Sequence, residues 1–319
     1  MKTLKNKGRV DFSVLIYDLG TQFNGRLDFY KVLYNKNTNV LKVLYVNSDT
    51  VAFRKNQNLK SFKKIFNENS KISINMAVDK FYVDLSNIIG KNAFSSDFYF
   101  STSFKTIDFI MGYNKKLRYL LRKNFDNNDI NSLNHFEIIK CILNSNPYSI
   151  IKVCRKYASL NTNISKLALI ALILRFKFLK PTLIFCEMPV KYTRNRLELD
   201  KENIKEFFYK IYYADNNKGS YQRTKRTVMI LVDVKNASKK RCMAEKIVWI
   251  LRENKFDVID WSNSSVSYDR TLIKDYKGNF KQALKIAEIL KVGTVFVSYD
   301  NKNYADICVV LGEDCTNVL

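Results

Sequence analysis

Six cysteines and one histidine are the side chains whose chemistry is most directly tested by their spacing. The cysteines stand at 141, 154, 186, 242, 308 and 315, and the histidine is His135. No two of them have the short spacing from which a zinc site draws its ligands, so zinc chemistry is set aside. Cys308 falls in an apolar strand-like run and Cys154 in a helical one. Both read as ordinary buried thiols. At 319 residues the chain does not need a disulfide framework. What remains is charge. Lys and Arg number 54 against 30 Asp and Glu, a formal net charge of +24. Such an excess suits a polyanion: nucleic acid, anionic lipid or a phosphate-bearing glycan. The same composition, rich in Lys, Asn, Ile and Phe and poor in Gly and Pro, also follows from AT-rich codon usage, which puts Lys on every solvated face.

The elements that must position any site are readable in outline. The apolar fraction of 46% is ample for packed cores, and the length makes two domains the natural division. Residues 10–18 read as an opening strand. Residues 27–33 and 40–46 read as strands joined by a turn over 34–39. Residues 56–70 read as helix plus loop, 81–85 as a strand, 113–124 as a basic helix, 127–132 as a loop and 136–144 as an amphipathic helix. A further helix starts at 149. Residues 162–165 cap an apolar helix over 167–179 that Pro181 stops. Residues 204–213 form another helix, and the polar stretch 215–225 is the best linker. Asp11 and Asp18 interrupt the apolar run after the basic start, so no signal peptide is read there. The run 167–174 is too short to span a bilayer. These features make the expected chain soluble, or one that has lost an anchor upstream.

The last third is the clearest. It alternates strand 228–234, a helix from Ser238 to 254, strand 256–261, a helix from Asn279, and strands 294–299 and 307–311. Met243, Ile247, Ile250 and Leu251 share one helical face, and Ser238 is a plausible N-cap. The blocks DVKN (233–236), MAEKIVWILRENKFDV (243–258), ALKIAEILKV (283–292) and ADICVVLGED (305–314) resemble, in that order, the C-terminal domain of LytR-type proteins. One departure is that the loop after the first strand, KNASKKR (235–241), lacks the family's glycine.

The first two thirds resemble the catalytic domain of the LytR-CpsA-Psr family. The matching text is LIYD (15–18), RLD (26–28), NSDT (47–50), PYSIIKV (147–153) and LNTNIS (160–165). The resemblance implies a fold of the α/β (α+β) class. A mixed sheet flanked by helices would occupy 1–214, followed by the linker 215–225 and a two-helix, four-strand α+β domain over 226–319. The family transfers a glycan phosphate from a polyprenyl pyrophosphate carrier to peptidoglycan. That implies Mg²⁺ to offset phosphate charge, arginines to hold the pyrophosphate and an apolar slot for the lipid, with the helix 167–179 as part of its wall. By resemblance the metal ligands would be Asp18 and Asp28. The catalytic group would be Arg26, Asp28 and Asp49, and the phosphate ligands Arg26, Arg122 and Lys123. On position alone, Asp18 and Asp28 read as strand-end residues facing solvent.

Much of the implied arginine fork is missing. Ser48 stands where the family has the Arg of its Pro-Arg-Asp. In the stretch 120–137, Ser132 and His135 correspond to two further arginines and Phe136 to a glutamine. Each lost Arg removes a charge-assisted contact of roughly 1.5–3 kcal/mol, and lysine does not replace the planar fork. The resemblance therefore implies a degenerate member that binds a polyprenyl-phosphate lipid or an anionic cell-wall polymer, with weak Mg²⁺ binding. An active phosphotransferase with peptidoglycan as acceptor is the alternative. A nucleic-acid partner has charge alone behind it, since no helix-turn-helix, ribonucleoprotein or zinc-finger pattern is present. The family's place is the outer face of the membrane in the cell envelope, with its surface as a further partner; the cytoplasm is the other location.

Overall fold

Alternating apolar residues at 9–17 and two nearly continuous apolar runs at 27–46 form a three-stranded meander. It consists of β1 (Arg9–Tyr17), β2 (Leu27–Asn35) and β3 (Val40–Val46). Both pairings are antiparallel. The turn is set locally: Asn35 Oδ1 accepts the backbone N–H groups of Asn37 and Thr38, and Asn39 takes the left-handed conformation at φ 51°. Strand β2 is buried along almost its whole length, Lys31 included, and the Lys31 ammonium is paired with Asp11 at 2.6 Å.

This computed structural model describes residues 8–18, 27–52, 60–71, 97–112, 114–122, 128–144, 148–193, 196–213, 229–292 and 294–318, with 73, 76–78, 80, 81, 83 and 146 between them. The remaining elements, in chain order, are β4 (Val51–Ala52), β5 (Lys60–Ser61), α1 (Phe62–Ser70), β6 (Phe98–Ser103), α2 (Phe104–Ile110), α3 (Lys115–Arg122), α4 (Asn128–Leu143), α5 (Ser149–Lys156), β7 (Asn161–Thr162), α6 (Lys166–Leu179), β8 (Thr182–Glu187), β9 (Val190–Thr193), β10 (Arg196–Leu199), α7 (Lys201–Tyr213), β11 (Leu231–Asn236), α8 (Met243–Glu253), β12 (Asp257–Asn263), β13 (Leu272–Asp275), α9 (Phe280–Ile289), β14 (Val295–Ser298) and β15 (Ile307–Leu311). The chain is mixed α/β, with mixed sheets flanked by helices.

Two compact units result, one of residues 1–182 and 190–199 and one of 183–189 and 200–319. In the first, strands follow the order β3-β2-β1-β6-β7, with β6 parallel to β1 and β7 antiparallel to β6. A small second sheet runs β5-β4-β10-β9. Helix α6 starts at Ser165, whose Oγ accepts the Ala168 N–H. It ends in left-handed Lys180, where Asn39 Nδ2 donates to the free Leu179 carbonyl. Those boundaries match the sequence reading.

The second unit has the order β12-β11-β15-β13-β14-β8. Strand β11 lies parallel to β12 and β15. Strand β13, absent from the sequence reading, runs antiparallel to β15 and parallel to β14. Strand β8 pairs with β14, and α7 joins the same unit: Phe207 packs on Tyr299, and Lys210 Nζ donates to the Lys277 carbonyl at 2.5 Å. The expected linker 215–225 lies outside the described residues.

Three local expectations change. Phe81 and Val83 are helical rather than extended. Helix α4 begins at Asn128, inside the expected loop. Ser238 does not cap a helix. Its Oγ bonds to Asn236 Oδ1 at 2.8 Å, and α8 starts only after Cys242, held left-handed at φ 59°.

Candidate functional site

The registers Tyr17 opposite Leu27 and Phe29 opposite Val46 bring the C-end of β1, the N-end of β2 and the C-end of β3 side by side. Asp18, Asp28 and the turn 47–50 therefore gather at one end of the first sheet. Side-chain alternation puts Asp28, Tyr30 and their β1 neighbours Ile16 and Val14 on one face. In the turn, Asn47 Oδ1 accepts the Asp49 N–H at 2.9 Å, and the Asn47 carbonyl accepts the Thr50 N–H. Asp49 is exposed at the tip, while Ser48 is buried and its carbonyl accepts the Lys63 N–H.

Asp28 does not face solvent. Its side chain is 2% exposed, and Oδ2 accepts the Tyr30 hydroxyl at 3.3 Å. The same hydroxyl lies 2.8 Å from His135 Nδ1, and His135 Nδ1 is 3.9 Å from Asp28 Oδ2. Tyr45 stacks on the imidazole with centroids 3.7 Å apart. With Tyr30 donating to the carboxylate, the consistent arrangement has His135 carry its proton on Nδ1 and donate to the Tyr30 oxygen. That chain gives Asp28 Oδ2, the Tyr30 hydroxyl and His135 Nδ1 complementary partners. Tyr30 and Tyr45 are residues the sequence reading missed. Tyr30 stands two positions after Asp28 and opposite Tyr45, a placement the strand pattern carries. His135 arrives from α4, and only the fold brings it in.

Of the implied phosphate ligands, Arg26 and Lys123 lie outside the described residues, and for Arg122 only the backbone, the last residue of α3, is described. The donor types at Asp18 and Asp28 suit Mg²⁺, which takes one or two carboxylates beside water and substrate phosphate. The arrangement does not: Asp28 is almost fully buried, and its Oδ2 is engaged by Tyr30. Among the described residues no group of three His, Cys, Asp or Glu side chains converges.

Next to this network, on the same face of β1, lies a part-open apolar cavity of about 210 Å³. Phe12, Val14 and Ile16 of β1 form its floor, and Leu169, Ile173 and Phe176 of α6 form part of its wall. Ile110, Val153 and Leu160, a buried cluster, also line it. Lys177 is the charged side chain among the described lining residues. Partial burial holds its ammonium below the usual lysine range. Apolar cavities of roughly 150 Å³ stay dry and accept apolar guests such as benzene. This one is larger, and it lies where the sequence reading expected a lipid slot. Among the described residues no helix is long and apolar enough to cross a membrane.

No family model matches the chain, and no curated protein matches it. Among solved structures it is similar to Lin1025 of Listeria innocua, at 11% identity over 64% of this chain and 97% of that one, with a TM-score of 0.46. It is also similar to B. subtilis TagU, at 12% identity over 66% of this chain and 100% of that one, TM-score 0.43. A third is B. subtilis TagT, at 15% identity over 66% and 93%, TM-score 0.41.

Proposed function

We propose that this chain binds the apolar tail of a polyprenyl-phosphate lipid, as a LytR-CpsA-Psr-type protein of cell-envelope glycopolymer assembly whose pyrophosphate-binding arginines are eroded. The cavity beside β1 and α6 is the observation that carries this reading. Its lining is aliphatic and aromatic, its size exceeds that of a water site, and Lys177 offers a cation to a phosphate head. The motif resemblance supports the substrate class, and Ser48, Ser132 and His135 in place of arginine support binding without transfer. The second unit acts in this reading as the LytR C-terminal-type companion domain. The partners are a polyprenyl-linked glycan or another anionic cell-wall polymer, with peptidoglycan nearby, and the place of action is the outer face of the membrane.

The test is a titration of the full chain with farnesyl phosphate and with a longer polyprenyl phosphate, followed by tryptophan or probe fluorescence. Saturable binding that tightens with chain length, and is lost in Leu172→Trp, which fills the cavity, is the expected result. Absence of saturable binding, or equal binding by Leu172→Trp, overturns the proposal.

A second reading keeps the transferase. It is favoured by the gathering of Asp18, Asp28 and the turn 47–50 at one end of the first sheet. Mg²⁺ held by Asp18 and Asp28 would offset phosphate charge there, and Asp28 would first have to leave Tyr30. Turnover of a polyprenyl-pyrophosphate glycan onto peptidoglycan with Mg²⁺, abolished by Asp28→Ala, would establish it.

A further inference from the structure

Helix α6 is apolar on both sides. Leu169, Leu172, Ile173 and Phe176 face the cavity, yet no residue of the helix is fully buried. On the opposite side Leu167, Ala171, Leu174 and Phe178 follow one another at helical spacing, and all four are exposed. Leu167 and Phe178 are each 80% exposed, and Leu179 adds 47% at the C-terminal end. A continuous apolar stripe of this kind is unusual on a soluble surface and marks an interaction site.

We propose that the outer face of α6 docks this chain on an anionic lipid surface. Charge selects that occupant. Between Glu137 and Glu187 the sequence holds no acidic residue, while Lys166 and Lys180 bracket the stripe. A helix of 14 residues is about 21 Å long and can lie flat in the headgroup region. Its leucines and phenylalanine then reach the acyl boundary, and its lysines extend to lipid phosphates. The adjoining α5 continues the character, exposing Ile151 beside Arg155 and Lys156. A second copy fits less well, because a two-fold pairing of identical stripes brings lysine against lysine at both ends. The proposal does not depend on what fills the cavity, since the outer residues do not line it.

The experiment is co-sedimentation of the full chain with phosphatidylcholine vesicles, with and without phosphatidylglycerol. Binding is expected only with the anionic lipid, falling by roughly tenfold as salt is raised. Leu167→Ser with Phe178→Ser should lower it at least roughly tenfold while keeping the helical circular dichroism and the farnesyl phosphate titration of the unmodified chain. Lys166→Glu with Lys180→Glu should lower it without touching the stripe, and Leu172→Trp should leave it intact. Failure of the unmodified chain to bind, or equal binding by the Leu167/Phe178 variant, overturns the proposal. So does light scattering that shows a dimer in the unmodified chain and a monomer in that variant, which would assign the stripe to a second copy.

Discussion

His135 Nδ1 lies 3.9 Å from Asp28 Oδ2, with the Tyr30 hydroxyl bonded to both side chains and neither residue open to solvent. The relation links α4 to the start of β2, and it occupies a carboxylate that the sequence reading placed on a metal. Removing the bridging oxygen takes one hydrogen bond from each of two buried side chains. Tyr30→Phe should therefore cost about 1–3 kcal/mol of stability, measured by urea denaturation of the full chain. His135→Arg should be destabilising too. The imidazole is stacked closely on Tyr45, so a longer guanidinium has to displace it, at about 1–3 kcal/mol. An unchanged midpoint in both variants would show that the network is not formed.

Gly312 sits against the backbone of Arg270 so closely that an added Cβ would come within 2.2 Å of it. The neighbouring bonds hold that approach in place. Thr271 Oγ1 accepts the Gly312 N–H, and Asp314 Oδ1 accepts both the N–H and the hydroxyl of Thr271. Gly312→Ala should force strand β15 from the 270–271 segment and cost about 3 kcal/mol or more. Thermal unfolding measures this, and a variant as stable as the parent would refute the close packing.

Burial raises the Asp275 carboxyl to about 6, although backbone N–H groups of Lys277, Gly278 and Asn279 favour its charged form. In the unfolded chain it titrates near the ordinary 3.8. The folded state holds this proton more tightly. Its contribution to stability is full below pH 4 and is lost as pH rises through about 6, on the order of 3 kcal/mol in total. Asp275→Asn should remove that dependence. Its stability relative to the parent should be greater at pH 7 than at pH 4, and an equal difference at both would refute the assignment.

Cys308 is buried, and its thiol is pushed up to about 12, first by burial and then by the neighbouring Asp233. Cys186 and Cys315 are also buried, while Cys242 is exposed. Iodoacetamide on the native chain should label Cys242 first and reach Cys308 only after denaturation. Peptide mapping by mass spectrometry reads the order, and early labelling of Cys308 would contradict the packing of β15.

Local chemistry alone determined several elements. Ser165 and Pro181 bound α6 because a cap and a missing N–H act within a few residues. The meander is legible because Asn35 to Asn39 make a turn between two apolar runs. The apolar periods of α8, α9, β14 and β15 also locate them without help from the rest of the chain. Short runs were less informative. Phe81 and Val83 carry strand-like residues, but a few apolar positions do not separate strand from helix. Strand β13 is four residues long and is defined by its neighbours β14 and β15. Ser238 has the right type for a cap, but Asn236 competes for its hydroxyl, and the left-handed Cys242 delays the helix.

At the site, the sequence alone placed Asp18 and Asp28 at strand ends, and Asp49 was singled out by the family resemblance. Whether Asp28 faces a metal or a tyrosine depends on α4, which brings His135 and Tyr30 together across 105 residues. The apolar composition of α6 likewise did not decide between a solid core and a cavity. That depends on how closely its side chains meet β1, and on which face is left over for the outside. Burial of a helix is set by shape complementarity with other elements, and shape is a property of the assembled chain.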